Sequence, residues 1–425
     1  MVGNVMKKVS EETLTLLYGS DNNILKQQKE RYEQLFGKYN DKYGDEKKSA
    51  FISAPGRSEL SGNHTDHNGG SVIAAGINFD TIACVSQSDD NKVEIISEGY
   101  DKPFVVDLNE LDKVGSEKET SNSLIRGIAS GFVTNGYKIG GFKGAVTSDV
   151  MVGSGLSSSA SFEVLIGSIF NYFYNENKIS GESIAKIGQF AENKFFGKPC
   201  GLMDQVACAL GSIVHINFKD NNNPVIQKIP FDFFSLNYKL LVVDTGGTHH
   251  NLTNDYAAIP SEMKEVARFF GKNNCSEIDF GTLMGSRNKL RHLISDRAFL
   301  RAFHFFKENE RVERQVQALK DNDFALFLKL VNESGNSSYK YLQNIYSPNN
   351  VTEQPLSLAL ALTEDFIAKK KEGACRVHGG GFAGTIQVFL KDIFIEEYKN
   401  LIEPVFGKNS VSTLSIRPYG AYVFT

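Results

Sequence analysis

Tryptophan is absent from the 425 residues, so any aromatic wall in this protein must be built from its 31 phenylalanines and 16 tyrosines. Cysteine is scarce. Cys84, Cys200, Cys208, Cys275 and Cys375 are odd in number and never form a C-x-x-C pair. That pattern excludes a disulfide scaffold and a structural zinc site, and it fits a reducing compartment. Charge of one sign is also missing. The formal net charge is −4, which gives no polybasic case for nucleic acid or an anionic membrane. No apolar run reaches the roughly 18 residues of a membrane span. Met1 to Ser10 carries two lysines and no apolar core, so no signal peptide and a cytoplasmic location are expected. The length is too great for one compact core and suits about two domains.

The most distinctive stretch is Val152-Gly153-Ser154-Gly155-Leu156-Ser157-Ser158-Ser159-Ala160-Ser161. Phe142 to Ser148 before it reads as a strand. The apolar residues Phe162, Leu165, Ile166, Ile169 and Phe170 after it recur at helical spacing. Strand, small-residue loop and helix in that order let backbone N–H groups approach an anion at a helix N-terminus. The serine hydroxyls can meet phosphate oxygens or a phosphate-bound metal. No Gly-Lys-Ser/Thr closes the loop, so it is not a Walker A motif. A flexible linker or a serine-capped helix start accounts equally well for the stretch taken alone.

Three further polar stretches interrupt apolar surroundings. The first, Phe51 to Gly70, runs a short strand into Pro55-Gly56 and then through a dense polar segment to a second strand near Val72. Arg57, Asn63, His64 and Asp66 offer the mixed donors and acceptors that suit a polyol. A polar hairpin is the plain alternative, and a metal site from His64, Asp66 and His67 a weaker one. The second, Gly197 to Gly211, sets Asp204 among small and apolar residues. There it is a cap or surface acid, or else a general base or the partner of an arginine. The third, His378 to Thr385, is a glycine run before a strand. It is a turn, or a place where backbone approaches a ligand. Residues 11–48 read as a charged helix packing one face, and Phe303, Phe305, Phe306, Phe324 and Phe327 as helix core. Strands precede the serine loop and helices follow it, which predicts an α+β fold.

Taken together, these stretches resemble the GHMP kinase superfamily, and within it the galactokinases. Gly56-Arg57 followed by Gly62-Asn63-His64-Thr65-Asp66-His67-Asn68-Gly69-Gly70 is similar to the signature G-R-x-N-L-I-G-E-H-T-D-Y-N-G-G. Gly153 to Ser161 resembles the ATP-phosphate loop, Gly201-Leu202-Met203-Asp204-Gln205 the catalytic-aspartate stretch, and Gly379 to Gly384 the third motif. The resemblance runs from about residue 50 to the end. It implies an α+β fold of two lobes, 1–219 and 220–425, with the active site between them. It also implies ATP-dependent phosphorylation of the C1 hydroxyl of a galactose-type sugar by a monomer. By the same carry-over, Asp204 and Arg57 are catalytic. Asn63, His64, Asp66, Gly201 and Tyr256 face the sugar. Gly153, Ser154, Gly155, Leu156, Ser157, Ser158 and Ser159 hold the nucleotide, and Ser159 and Glu192 hold Mg²⁺.

Several positions depart from the pattern. Asn63 stands where the signature has glutamate, Glu59 where it has asparagine, His67 where it has tyrosine, and Ala383 where the third motif has glycine. An amide at the position that faces the sugar's C6 hydroxyl does not repel a uronate, so galacturonate, N-acetylgalactosamine or arabinose are alternative substrates. A sugar- and ATP-binding regulator without turnover is a further reading, against which stand Arg57, Asp204 and the complete serine loop. The adenine pocket must be built without tryptophan.

Overall fold

The computed structural model describes residues 9–44, 49–151, 155–233, 236–247 and 252–424. In chain order its principal elements begin with α1 (Glu11–Tyr18), α2 (Asn22–Tyr43), β1 (Ala50–Ser61), β2 (Ser71–Gln87), β3 (Lys92–Ser97) and β4 (Phe104–Asp107). Next come α3 (Ser121–Thr134), β5 (Phe142–Ser148), α4 (Ser158–Asn175), α5 (Gly181–Ala191), α6 (Met203–Leu210), β6 (Ile213–Asn217), β7 (Val225–Ile229) and β8 (Tyr238–Asp244). The rest is α7 (Thr253–Phe269), α8 (Phe280–Gly285), α9 (Arg287–Leu293), α10 (Asp296–Lys320), α11 (Phe324–Ser337), α12 (Pro355–Lys370), β9 (Ala374–Val377), β10 (Thr385–Lys391), α13 (Ile395–Phe406), β11 (Val411–Leu414) and β12 (Tyr422–Phe424).

Two sheets organise these elements. The first runs β12-β1-β2-β5-β3-β4, with β6 on the free part of β2 and β7 on β6. The second runs β11-β8-β10-β9. The mixed α+β class expected from sequence is the observed one. β6 and β7 pair across residue 219, and β12 returns to the edge of the first sheet, so the chain crosses between the sheets more than once.

Strand β1 departs from the sequence expectation in an informative way. It does not stop at Pro55-Gly56 but continues to Ser61, buried along its whole length. Its pairing with β2 shifts register between Pro55 and Arg57 and again between Glu59 and Ser61. Such bulges bend a strand and re-aim side chains. Gly56 sits at the first shift, where a Cβ would lie 2.7 Å from the Leu156 carbonyl oxygen. Arg57 N–H donates to that same oxygen at 3.0 Å. A glycine is required there because the serine loop's backbone lies against the strand.

The cores explain how the sheets are joined. One face of the first sheet packs on α3, α4 and α5 through residues such as Ile125, Phe132, Val164, Ile169 and Ile187. Helices α10 and α11 lie against both sheets. Val312, Val316, Phe327 and Val331 share one cluster with Leu60, Ile73 and Ile213 of the first sheet and Leu240, Val242 and Phe389 of the second. The aromatic residues Phe305, Phe324 and Phe327 are core, as their spacing predicts, while Phe303 and Phe306 are half-buried.

The charged N-terminal region is two helices, not one. Gly19 at φ 88° ends α1, and the Asp21 side chain caps α2 by accepting from Asn23 and Ile24 N–H. Leu14, Leu17, Tyr32, Leu35, Phe36 and Tyr39 cover Phe51, Ile82 and Phe424. Beneath them lies a buried charge centre. The Asp80 carboxylate accepts from Arg31 Nη1 at 2.6 Å, Tyr18 Oη at 2.6 Å, Arg417 Nη1 at 2.9 Å and the Ser53 hydroxyl. Burial pushes the Asp80 carboxyl up, but Arg31 and Arg417 outweigh it and hold it below the usual carboxylate range. Removing the acid leaves two guanidiniums in a sealed environment. We expect Asp80→Ala to lose about 3–5 kcal/mol of stability, read as a lower midpoint in urea unfolding. A loss under about 1 kcal/mol would remove this centre from the account of how the N- and C-terminal segments are held.

Candidate active site

Three successive residues of β1 tie it to distant parts of the chain, Arg57 to α6, Glu59 to β9 and Ser58 to the residue just after β9. Arg57 pairs side-on with Asp204, Nε to Oδ1 at 2.7 Å and Nη2 to Oδ2 at 2.6 Å, and its Nη1 donates to the Gly155 carbonyl. Ser58 Oγ lies 3.1 Å from His378 Nε2. Glu59 Oε1 accepts from Arg376 Nη2 at 2.6 Å. All three are buried.

Asp204 is neither a cap nor an isolated surface acid. It sits in the first turn of α6, where the helix dipole favours a negative charge. Besides Arg57, it accepts from the Ser157 hydroxyl. Burial pushes the Asp204 carboxyl up. The Arg57 charge and the hydrogen bonds from Arg57 and Ser157 outweigh that and hold it below the usual range. The Asp204 side chain is 30 % exposed and that of Arg57 only 9 %. The pair is thus anchored at its arginine end and open at its acid end. A carboxylate held this way stays ionised and is a weak base. Its strength is to orient a hydroxyl.

The serine loop is a built structure where it is described. Gly153 and Ser154, with Val152, lie outside the described residues. Leu156 is buried, and Ser157 adopts φ 62°, ψ 61°. Ser157 precedes α4 but makes no side-chain cap, because its hydroxyl goes to Asp204 instead. Ser158 opens α4. One residue on, Ser159 Oγ donates to Glu192 Oε1 at 3.2 Å. Glu192 is buried, with Lys198 Nζ 3.6 Å from Oε1. Gln205 Nε2 donates to Glu192 Oε2 at 2.9 Å and to Glu163 Oε2 at 3.0 Å. Glu163 Oε1 and Gln205 Oε1 are buried without a partner. Hydroxyl and carboxylate oxygens of this kind suit a hard cation that keeps waters and phosphate oxygens as its other ligands.

The residues expected to face a sugar divide into two sets. Asn63, His64 and Tyr256 hold successive carbonyls of the glycine run. Asn63 Nδ2 donates to Gly379 O at 2.6 Å, His64 Nε2 to Gly380 O at 2.8 Å, and Tyr256 Oη to Gly381 O at 2.7 Å. Asp66 and Gly201 form the second set. A Cβ on Gly201 would lie 2.7 Å from Asp66 Oδ2, so the absence of a side chain lets this carboxylate approach the segment leading to Asp204. The metal reading of His64, Asp66 and His67 finds no support. His67 Nε2 is 3.8 Å from Asp66 Oδ1, His64 is turned to Gly380, and no group of three potential ligands gathers among the described residues.

Sequence reasoning missed Ser58, Arg376, Asn344, Gln205 and Glu163. Arg376 lies on the short buried strand β9, just before the glycine run, and a cation amid apolar residues is a readable signal. Asn344 carries none, since its role exists only through a neighbour distant in sequence.

With this geometry in place, comparison with known proteins gives a consistent result. Residues 37–87 match the galactokinase galactose-binding signature, and residues 123–212 the GHMP kinases N terminal domain. The chain is 30 % identical over 367 residues to a galactokinase of Clostridium tetani, covering 86 % of this chain and 90 % of that protein. It is 31 % identical over 366 residues to a galactokinase of Glaesserella parasuis, covering 84 % and 90 %. The chain belongs to the galactokinase family. Its fold matches that of Lactococcus lactis galactokinase, solved in complex with galactose. The TM-score is 0.76 at 22 % identity, over 91 % of this chain and 98 % of the other. A mevalonate kinase matches at TM-score 0.60 and 18 % identity, over 86 % and 98 %.

Two expectations follow from the site's packing. In Gly201→Ala the added methyl meets only the end of the Asp66 side chain, so the fold tolerates it within about 1 kcal/mol. The carboxylate is displaced, and the KM for sugar should rise several-fold in steady-state assays at unchanged melting temperature. An unchanged KM would take Asp66 out of the sugar site.

The second concerns acid. Burial lowers His64 to about 4 and His378 to about 3, and it lowers His304 as well. These histidines are neutral in the fold but charge in the unfolded chain below pH about 6.5. Stability is therefore complete above that value. It falls as pH drops toward 4, by up to about 1.4 kcal/mol per pH unit for each histidine. Urea midpoints measured from pH 7.5 to 4.5 should show this slope, and His378→Gln should flatten it. The same slope in both proteins would exclude His378 as a source.

Proposed function

We propose that this chain transfers the γ-phosphoryl group of ATP to the C1 hydroxyl of galactose, giving ADP, galactose 1-phosphate and a proton. The observation that carries the reading is the side-on Arg57–Asp204 pair, bonded on one flank to Ser157 and Gly155 of the serine loop and open on the other. Family membership supports the same reading.

Each residue's part follows from its geometry. Asp204 accepts from the sugar's C1 hydroxyl and points its oxygen at the γ-phosphorus. The oxygen–phosphorus bond forms as the bridge to the β-phosphate breaks. Little nucleophilic push is needed in such a loose transfer, so an ionised, weakly basic carboxylate suffices, and the proton leaves late. Arg57 stays charged under all conditions and places positive charge beside the equatorial oxygens. Gly153 to Ser159 supply backbone and hydroxyl donors to the phosphates. Ser159 and Glu192 would hold Mg²⁺, which would supply neutralisation of the phosphates' charge. Asp66, admitted by Gly201, accepts from sugar hydroxyls. His64 and Tyr256 act at one remove, by fixing the glycine run beside the sugar.

Galactose is favoured over a uronate. The amide of Asn63 spends its hydrogen bonds on protein partners, so it has none to offer a carboxylate on the sugar. Action as one monomer of two lobes belongs to the same proposal, with the division expected at 219/220 modified by β7 and β12, which join the first sheet.

The test is ADP release from ATP and Mg²⁺ with purified protein. The sugars are galactose, N-acetylgalactosamine, galacturonate, arabinose and glucose. We expect galactose to be turned over best, and Asp204→Asn to lose roughly a hundred- to ten-thousand-fold in kcat. Preference for another sugar would reassign the substrate. Silence on all sugars with ATP still bound would favour a regulator without turnover.

A further inference from the structure

Asn63 is the most completely engaged side chain in the neighbourhood. Its Nδ2 donates to Gly379 O at 2.6 Å and to Glu59 Oε1 at 3.3 Å. Its Oδ1 accepts from Asn344 Nδ2 at 2.8 Å and Ser338 Oγ at 3.3 Å. The partners fix the amide's orientation, since a carbonyl and a carboxylate only accept while an amide N–H and a hydroxyl donate. Asn63 is fully buried, and even its backbone carbonyl accepts from His304 Nε2 at 3.0 Å. Nothing on this side chain is left for a sugar.

Its neighbour Glu59 is held by Arg376, itself fully buried, which also donates from Nη1 to Leu60 O at 3.1 Å. Arg376 follows directly on Cys375, whose backbone N–H donates to Asn332 Oδ1. The pair therefore joins β1 of the first sheet to β9 of the second. Asn344 completes the arrangement. Its Nδ2 also reaches Gly380 O at 3.2 Å, and its carbonyl accepts from Phe382 N–H at 2.5 Å.

What this network holds lies beside the serine loop. A Cβ on Gly155 would come within 3.3 Å of His378 Nδ1 and 3.5 Å of Thr385 Oγ1, so the two loops touch. Residues 59 and 63 also carry acid and amide in the opposite order to the signature this chain resembles. Both members of a touching pair have changed, with one carboxylate and one amide kept between them.

We propose that Asn63, with Glu59 and Arg376, is a latch that positions the glycine turn 379–381 against the serine loop, and that positions 59 and 63 are a single exchanged pair. Asn63 is thus a positioning residue that acts through the turn. The kinetic part of the test rests on the kinase reading above.

The variants are Asn63→Asp, Asn63→Glu, Glu59→Asn, Asn344→Ala and the double exchange Glu59→Asn/Asn63→Glu. Asn63→Asp keeps the shape, removes both donors and sets two carboxylates in contact. We expect kcat to fall at least tenfold in Asn63→Asp while the KM for galactose changes less than threefold. The double exchange relieves the contact of like charges and should exceed Asn63→Glu in kcat/KM at least fivefold.

A raised KM with kcat intact would overturn the proposal, because it would put Asn63 on the sugar. A double exchange equal to the product of its single variants would overturn the pairing. If the position-63 variants do not fold, Asn344→Ala decides the matter. It removes contacts to Asn63 and Gly380 without adding charge, and should show the same kcat loss at least threefold. If the wild type turns over no sugar, the kinase reading fails and the latch is still tested. Backbone amides 379–384 should then exchange hydrogen at least tenfold faster in Asn344→Ala than in wild type, and equal rates would overturn it.

Discussion

The guanidinium of Arg57 binds both oxygens of Asp204 and the carbonyl of Gly155. An arginine is the side chain whose rigid planar fork can do this, and the rest of the site follows from where that fork must sit. Strand β1 has to bulge at Gly56 to aim it. The serine loop has to lie against the strand for Gly155 to meet it. Helix α6 has to present its first turn for Asp204 to close the pair. Each demand is local, yet together they bring residues 57, 155 and 204 to one point. The geometry also bears on the acid's proposed chemistry. A carboxylate engaged by a buried arginine stays ionised at the cost of basicity, so in the proposed reaction alignment and charge count for more than proton abstraction.

The sequence was legible where a pattern repeats locally. The strand at 142–148 has the bounds read from sequence, and a helix does follow the serine loop, because periodicity and small-residue punctuation mark both. Read from its residues alone, Asp204 is a cap or surface acid, or else a general base or the partner of an arginine, and only the resemblance sets Arg57 beside it. What escaped was governed by partners far along the chain. Polar residues 57–61 looked like a loop because polarity usually means solvent. They are strand because His378, Arg376, Gln387 and Gln315 satisfy them inside the protein. The short strand β9 and the edge strand β12 were missed for the same reason, since pairing makes them strands more than composition does.

Asn63 shows how a motif can be read correctly and its chemistry misplaced. Its departure from the signature suggested altered substrate recognition, an inference that treats one position at a time. In the folded chain position 63 touches position 59, and the two departures are halves of one change. A family signature records which side chains lie near a ligand. It does not record which of them hold one another.

Asp80 and Asp204 each rest on a buried arginine, and exposure separates the two uses. Asp80 is sealed, with Arg31, Arg417, Tyr18 and Ser53 filling its acceptor sites. It has nothing left to bind, so its effect is to fasten the N-terminal helices and the C-terminal segment to the first sheet. Asp204 has one arginine and one serine hydroxyl, and its side chain remains 30 % exposed. A carboxylate has about four acceptor positions; three are used, and the remainder faces outward. That residual valence, held in place by a buried cation, is what a substrate hydroxyl can occupy. Closing it with a second arginine would make Asp204 another Asp80, more firmly fixed and chemically inert.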